Sequence, residues 1–171
     1  MSAVNRNIFY SFLRLIPIFL LLFLAFSDFD FSFHSKKFVT FNLIHILIYF
    51  WVLKKPQFLG SGLIFFAGII NDIVTGLPIG ISSIEFLILC GIASYFKNIT
   101  LRPSLFYDWI SFLPSVLIIN SIHYFILNIF FEIELNYFYL LLSSIFTFIL
   151  YPLAAFVFNL LVNLISVRDN D

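Results

Sequence analysis

Charge is the scarcest commodity in this chain of 171 residues: Asp, Glu, Lys and Arg together make up 11%, against 62% hydrophobic residues. Soluble domains carry about 25% charged residues. With so little polar surface a globule cannot be solvated, which excludes soluble enzymes and DNA-binding modules and makes the lipid bilayer the expected solvent. Nine basic residues balance nine acidic ones, so there is no basic excess to hold a phosphate backbone and no nucleic-acid partner is expected. Cysteine is reduced to Cys90, which excludes an intramolecular disulfide and any Cys-based zinc or iron–sulfur site. The three histidines include no pair at a ligand-like spacing, so no metal site is expected. The chain also lacks a Walker-type Gly-rich loop with Lys, an H-E-x-x-H helix, a Ser/His/Asp set on one side of the membrane, and the dense aspartates of Mg²⁺-dependent phosphotransfer. No catalytic residue and no cofactor is therefore expected, and the chain reads as non-enzymatic. No internal repeat marks it as a solenoid or an inverted-repeat transporter.

What is present is a series of long apolar runs. They predict an all-α integral membrane protein, a six-helix bundle occupying residues 1–171 as a single transmembrane domain, with spans at 8–26, 38–53, 59–75, 84–96, 105–131 and 137–165. A hydrocarbon core of about 30 Å needs roughly 20 helical residues. The second to fourth runs are therefore short and the last two are long enough to tilt or bend, with Pro152 offering a kink site. The first run lacks a small-x-small cleavage pattern and is read as a retained helix rather than a signal peptide. With the N-terminus inside, Arg6, Arg14, Lys54, Lys55, Lys97, Arg102 and Arg168 fall on the inner side. Only Lys36 and Lys37 fall outside, beside Asp28 and Asp30, and the acidic loop 132–136 is also outside. This asymmetry satisfies the positive-inside rule and puts both termini in the cytoplasm. The 26 phenylalanines read as a lipid-facing coat.

Polar residues inside the runs carry the functional signal. Gly68, Asp72 and Gly76 recur every fourth residue and share a face of the third helix, where small residues allow another helix to approach closely. Asp72 is the sharpest anomaly, because a carboxylate in a span is costly unless protein or water surrounds it. It reads either as a structural group binding the backbone of the following turn or a neighbouring helix, or as a transport or proton-relay group. Ser82-Ser83-Ile84-Glu85 has the Ser-x-x-Glu spacing of a capping box, which places Ser82 and Glu85 at the start of the fourth helix. Arg14 is expected to snorkel to the headgroups. Asn42 with His45, Asn120 with His123, and Asn159 with Asn163 share helix faces and are expected to make interhelical hydrogen bonds.

The stretch from Gly68 through Asp72, Gly76 and Pro78 to Gly80 resembles the G-L-x-x-D-x-x-x-G-x-P-x-G stretch of the bacterial rod shape-determining MreD family, with Ser82-Ser83 and an apolar helix as its continuation. Ile69 stands where the family usually has Leu, and outside residues 62–96 the similarity is one of hydropathy. The resemblance implies a non-enzymatic, multi-pass scaffold of the bacterial cytoplasmic (inner) membrane, part of the elongation machinery that inserts side-wall peptidoglycan. It implies an MreC-like bitopic membrane protein as direct partner and MreB, RodA and a class B penicillin-binding protein as indirect ones. It also implies similarity of fold to the S components of energy-coupling-factor vitamin transporters. Gly68, Asp72, Gly76, Pro78, Gly80, Ser82 and Glu85 are the structural or partner-binding candidates. The alternative is a small-molecule-binding membrane protein, either such an S component or a small secondary transporter.

Overall fold

The computed structural model describes residues 3–27, 30–33, 36–40, 42–100, 104–132 and 137–166, and the side chains of 15–27, 42–100, 104–132 and 137–164. The expectations for the side chains of Arg6, Arg14, Asp30, Lys36 and Lys37, and for Asp28, His34, Arg102, Arg168 and the acidic loop beyond Glu132, fall outside what is described. The described chain consists of α1 (Ala3–Phe26), a hairpin of β1 (Asp30–Phe33) and β2 (Lys36–Thr40), α2 (Leu43–Lys54), a 3₁₀ turn (Pro56–Phe58), α3 (Ser61–Thr75), α4 (Ile81–Ile99), α5 (Leu105–Phe131) and α6 (Tyr137–Ser166). Two segments, Leu105–Phe131 and Tyr137–Leu164, are long and apolar enough to cross a membrane.

The helix α2 is the hub of the molecule. Every residue from Ile44 to Val52 is buried, and α1, α4, α5 and α6 all pack against it. An all-round apolar sequence such as Ile46-Leu47-Ile48-Tyr49-Phe50-Trp51-Val52 has no face to offer water, so it is stable only when enclosed. Its 12 residues give a rod of about 18 Å at 1.5 Å per residue. The sequence reading started this helix near residue 38, and the structure corrects that: Lys36–Thr40 pairs antiparallel with Asp30–Phe33, in a register of Asp30 opposite Thr40 and Phe33 opposite Lys36. Phe38, Val39 and Thr40 are aromatic or β-branched and fit a pleated ribbon, so a hydropathy window that counts them as helix misreads local propensity.

Aromatic packing fixes α5 and α6 to the hub. Phe112 stacks on Tyr151 with centroids 4.6 Å apart and lies 5.1 Å from the Tyr49 ring. Trp109 stacks on Phe148 at 4.9 Å and donates its indole N–H to the Phe148 carbonyl at 2.9 Å. Polar contacts add register: Asn120 donates to Ser144 Oγ at 2.6 Å, and the Asn42 amide donates to Thr147 Oγ1 at 3.1 Å. The outward faces stay apolar, with Phe19, Phe66, Phe125, Phe130, Phe138, Leu153 and Phe156 all exposed. Soluble monomers rarely leave so much contiguous apolar surface uncovered.

At the end of α2, Lys54 Nζ lies 2.7 Å from Asp108 Oδ2 in the first turn of α5. Asp108 is buried whereas the lysine retains contact with its surroundings. Removing the cation strands a buried carboxylate, which costs about 3–5 kcal/mol in a closed site and less where one partner is partly exposed. Lys54→Met is therefore expected to cost about 2–3 kcal/mol, read as a lowered unfolding midpoint in detergent. The double variant Lys54→Met/Asp108→Leu is expected to recover most of that loss.

Candidate functional site

The residues singled out in the sequence converge on the hairpin of α3 and α4. The first of these helices ends where Gly76 adopts the left-handed conformation (φ 71°) and its amide, with that of Leu77, returns to the Asp72 carbonyl. Pro78 then fixes the chain direction, and Gly80, at φ 107°, turns it into α4. Side chains are strained at such positive φ values, so the two glycines are required by the geometry.

Asp72 closes this turn. Its side chain is fully buried; Oδ2 accepts the Gly80 amide at 2.6 Å and Oδ1 the Ser82 amide at 3.0 Å. These amides belong to the exposed-donor end of α4, where a negative charge also meets the positive end of the helix dipole. The carboxylate binds the backbone of the following turn, the first of the two roles open to it from the sequence. Around it, Asn71 donates to Ser82 Oγ at 3.1 Å and Ser83 Oγ donates to the Phe65 carbonyl at 2.9 Å. Gly68 lies against the Ser83 backbone so closely that a Cβ there collides with it. The small-residue face thus receives α4 of the same chain.

The capping-box reading of Ser82 and Glu85 is overturned. Both residues lie inside α4, which starts at Ile81, three residues earlier than the sequence indicates. Gly80 occupies the cap position and no side chain of the box bonds it, because Asp72 supplies the cap from a distance. Glu85 instead turns to α5, where its Oε1 lies 2.5 Å from His123 Nδ1. Gly68, Asp72, Gly76, Pro78, Gly80 and Ser82 therefore form one clasp, and Glu85 belongs to a second, interhelical pair.

Sequence reasoning missed the Lys54–Asp108 pair and the partner of Glu85. A usable signal existed for the first: Asp108, Ser111 and Ser115 recur at helical spacing on one face of α5. Tyr49 donates to Ser111 Oγ at 2.8 Å on that face. His45 makes no hydrogen bond through either ring nitrogen among the described residues, so the expected interhelical bond from it is not found there. No group of three or more His, Cys, Asp or Glu suited to a metal occurs among the described residues. Comparison with protein-family models, curated proteins and solved structures finds no match.

Proposed function

We propose that the chain is a non-enzymatic, six-span scaffold of the bacterial inner membrane that binds an MreC-like bitopic protein and thereby takes part in side-wall peptidoglycan elongation and rod shape. The observation that carries this reading is the clasp. The residues through which the sequence resembles the MreD family, Gly68, Asp72, Gly76, Pro78 and Gly80, act together on one turn rather than being scattered through the bundle. A turn held by a buried carboxylate is a rigid platform, and it exposes Ile79 at 72% of its surface. An exposed apolar side chain on a preorganised turn suits docking by a neighbouring membrane protein, because little ordering entropy remains to be lost on binding.

The exposed faces of α1, α3, α5 and α6 support enclosure by lipid. In the membrane-spanning reading, α2 sits inside the bundle and the longer helices shield it from the acyl chains. The turn between α3 and α4 then lies on the outer side, within reach of a single-span partner whose soluble part is outside. Short connections leave the helix surfaces and this turn as the main contact sites.

The test is co-purification of the tagged, detergent-solubilised protein from its native membrane. An MreC-like bitopic protein is expected to remain bound, and Ile79→Asp is expected to release it while leaving the unfolding midpoint within about 0.5 kcal/mol of the parent, as for surface substitutions. Recovery of an ATPase-bearing transporter module, or of a tightly held small molecule, sinks the scaffold reading in favour of solute binding.

A further inference from the structure

Four ionisable side chains approach one another near the turn end of the bundle, each from a different helix. They are His45 of α2, Asp72 of α3, Glu85 of α4 and His123 of α5. Both oxygens of Asp72 are occupied by the Gly80 and Ser82 amides, so it serves this group as a fixed negative charge. Glu85 and His123 are joined at 2.5 Å, with side-chain exposures of 5% and 19%. The imidazole of His45 is 4% exposed and stands edge-on to Phe86, the neighbour of Glu85, at 5.6 Å. Both of its nitrogens lack a hydrogen-bond partner among the described residues. His45 lies within electrostatic reach of His123, and Asp72 within reach of both members of the pair. On the α6 side, Tyr137 bonds Ser121 and packs against the ring of Tyr124, the chain neighbour of His123.

Charge arithmetic gives this arrangement a chemistry. An ionised Asp72 and a Glu85–His123 pair sharing one proton, with His45 neutral, sum to one negative charge in a medium of low dielectric. One further proton brings the group to neutrality, and the Glu85–His123 pair provides the atoms to hold it. We propose that Glu85 and His123 form a proton-binding site, reached through the partly exposed edge of His123 and backed by the enclosed His45. The site is closed at its inner end: one turn inward of His123 on α5, Asn120 is committed to Ser144. The next polar group on that face of α2, Tyr49, is committed to Ser111, and the residues between it and His45 are buried and apolar. The proton is therefore bound and released on one side rather than conducted. This inference does not depend on which partner the bundle binds.

Nitrogen-15 NMR of histidine-labelled protein in nanodiscs tests it, with a blocked histidine in the same buffer as the reference. In the parent protein, His123 is expected to change over a pH interval apart from that of the blocked histidine, as a site coupled to Glu85 does, while the enclosed His45 shows no change over that interval. Glu85→Gln is expected to move the His123 midpoint by at least about one pH unit, a tenfold change in proton concentration. An imidazole at position 123 that titrates together with the blocked histidine overturns the proposal without recourse to any variant, as does an unmoved midpoint in folded Glu85→Gln. Vesicles loaded with a pH-sensitive dye and carrying the reconstituted protein are expected to show no more proton entry than empty ones. Faster entry overturns the closed site.

Discussion

Asp72→Ala is expected to lower the stability of the detergent-solubilised protein by about 3–5 kcal/mol, the sum expected when two charge-assisted hydrogen bonds are lost and their donors, one buried and one half-buried, stay unpaired. The Gly80 and Ser82 amides have no alternative acceptor in the helical ladder, since both precede the first residue whose amide can bond within α4. Asp72 and the bond it accepts from the Ser82 amide are buried, so water is a poor substitute there, which keeps the penalty near the upper end. Asp72→Asn retains one acceptor oxygen and turns an NH₂ group toward the second amide, so it is expected to cost about half as much by the same hydrogen-bond reckoning. The measurement is the unfolding midpoint in a graded detergent or thermal titration. Equal, sub-kcal/mol effects for the two variants would show that the turn holds itself and that the carboxylate has another purpose.

The clasp was legible in the sequence because its physics is local. Gly68, Asp72 and Gly76 fall on one helical face by spacing alone, and two glycines flanking a proline announce a turn that only positive φ can make. The position of α5 and α6 was equally plain, since long apolar runs have few alternatives. What escaped was whatever depended on a partner distant in the chain. Ser82 and Glu85 fit a capping box as a local pattern, but the Ser82 amide that Glu85 would satisfy is taken by Asp72, leaving the Glu85 carboxylate to find His123, 38 residues away. Hydropathy also could not separate a strand from a helix over Phe38–Thr40, because both conformations accept apolar residues and only pairing with Asp30–Phe33 decides between them.

The two ion pairs and the clasp divide the labour of fixing helices in a bundle where apolar burial has little direction. Packing of α2 against its neighbours is nearly isotropic, with aliphatic and aromatic side chains on every side, so it does not by itself choose a rotation. Lys54 with Asp108 and Tyr49 with Ser111 fix α2 against α5, while Glu85 with His123 fixes α4 against α5. Directional bonds at a few points thus select one arrangement among several that bury similar apolar area, the role best attested for buried polar groups.

Close approach of α3 and α4 makes a sharper demand, and alanine replacements separate it from helix propensity. Alanine normally stabilises a helix interior by about 1 kcal/mol relative to glycine. At Gly91, exposed in α4 with nothing within 4 Å of an added Cβ, Gly91→Ala is expected to follow that rule and raise stability by about 0.5–1 kcal/mol. At Gly68 the added carbon meets the backbone of Ser83 rather than the end of a flexible side chain, so relief requires the two helices to part. Separation stretches the Ser83 bond to Phe65 and the Asn71 bond to Ser82 together with the Asp72 clasp. Gly68→Ala is therefore expected to lose about 3 kcal/mol, the upper range for overpacking, giving a difference of opposite sign between two chemically identical substitutions. Unfolding midpoints measured side by side decide it, and a Gly68→Ala protein as stable as Gly91→Ala would mean that the helices do not meet at this face.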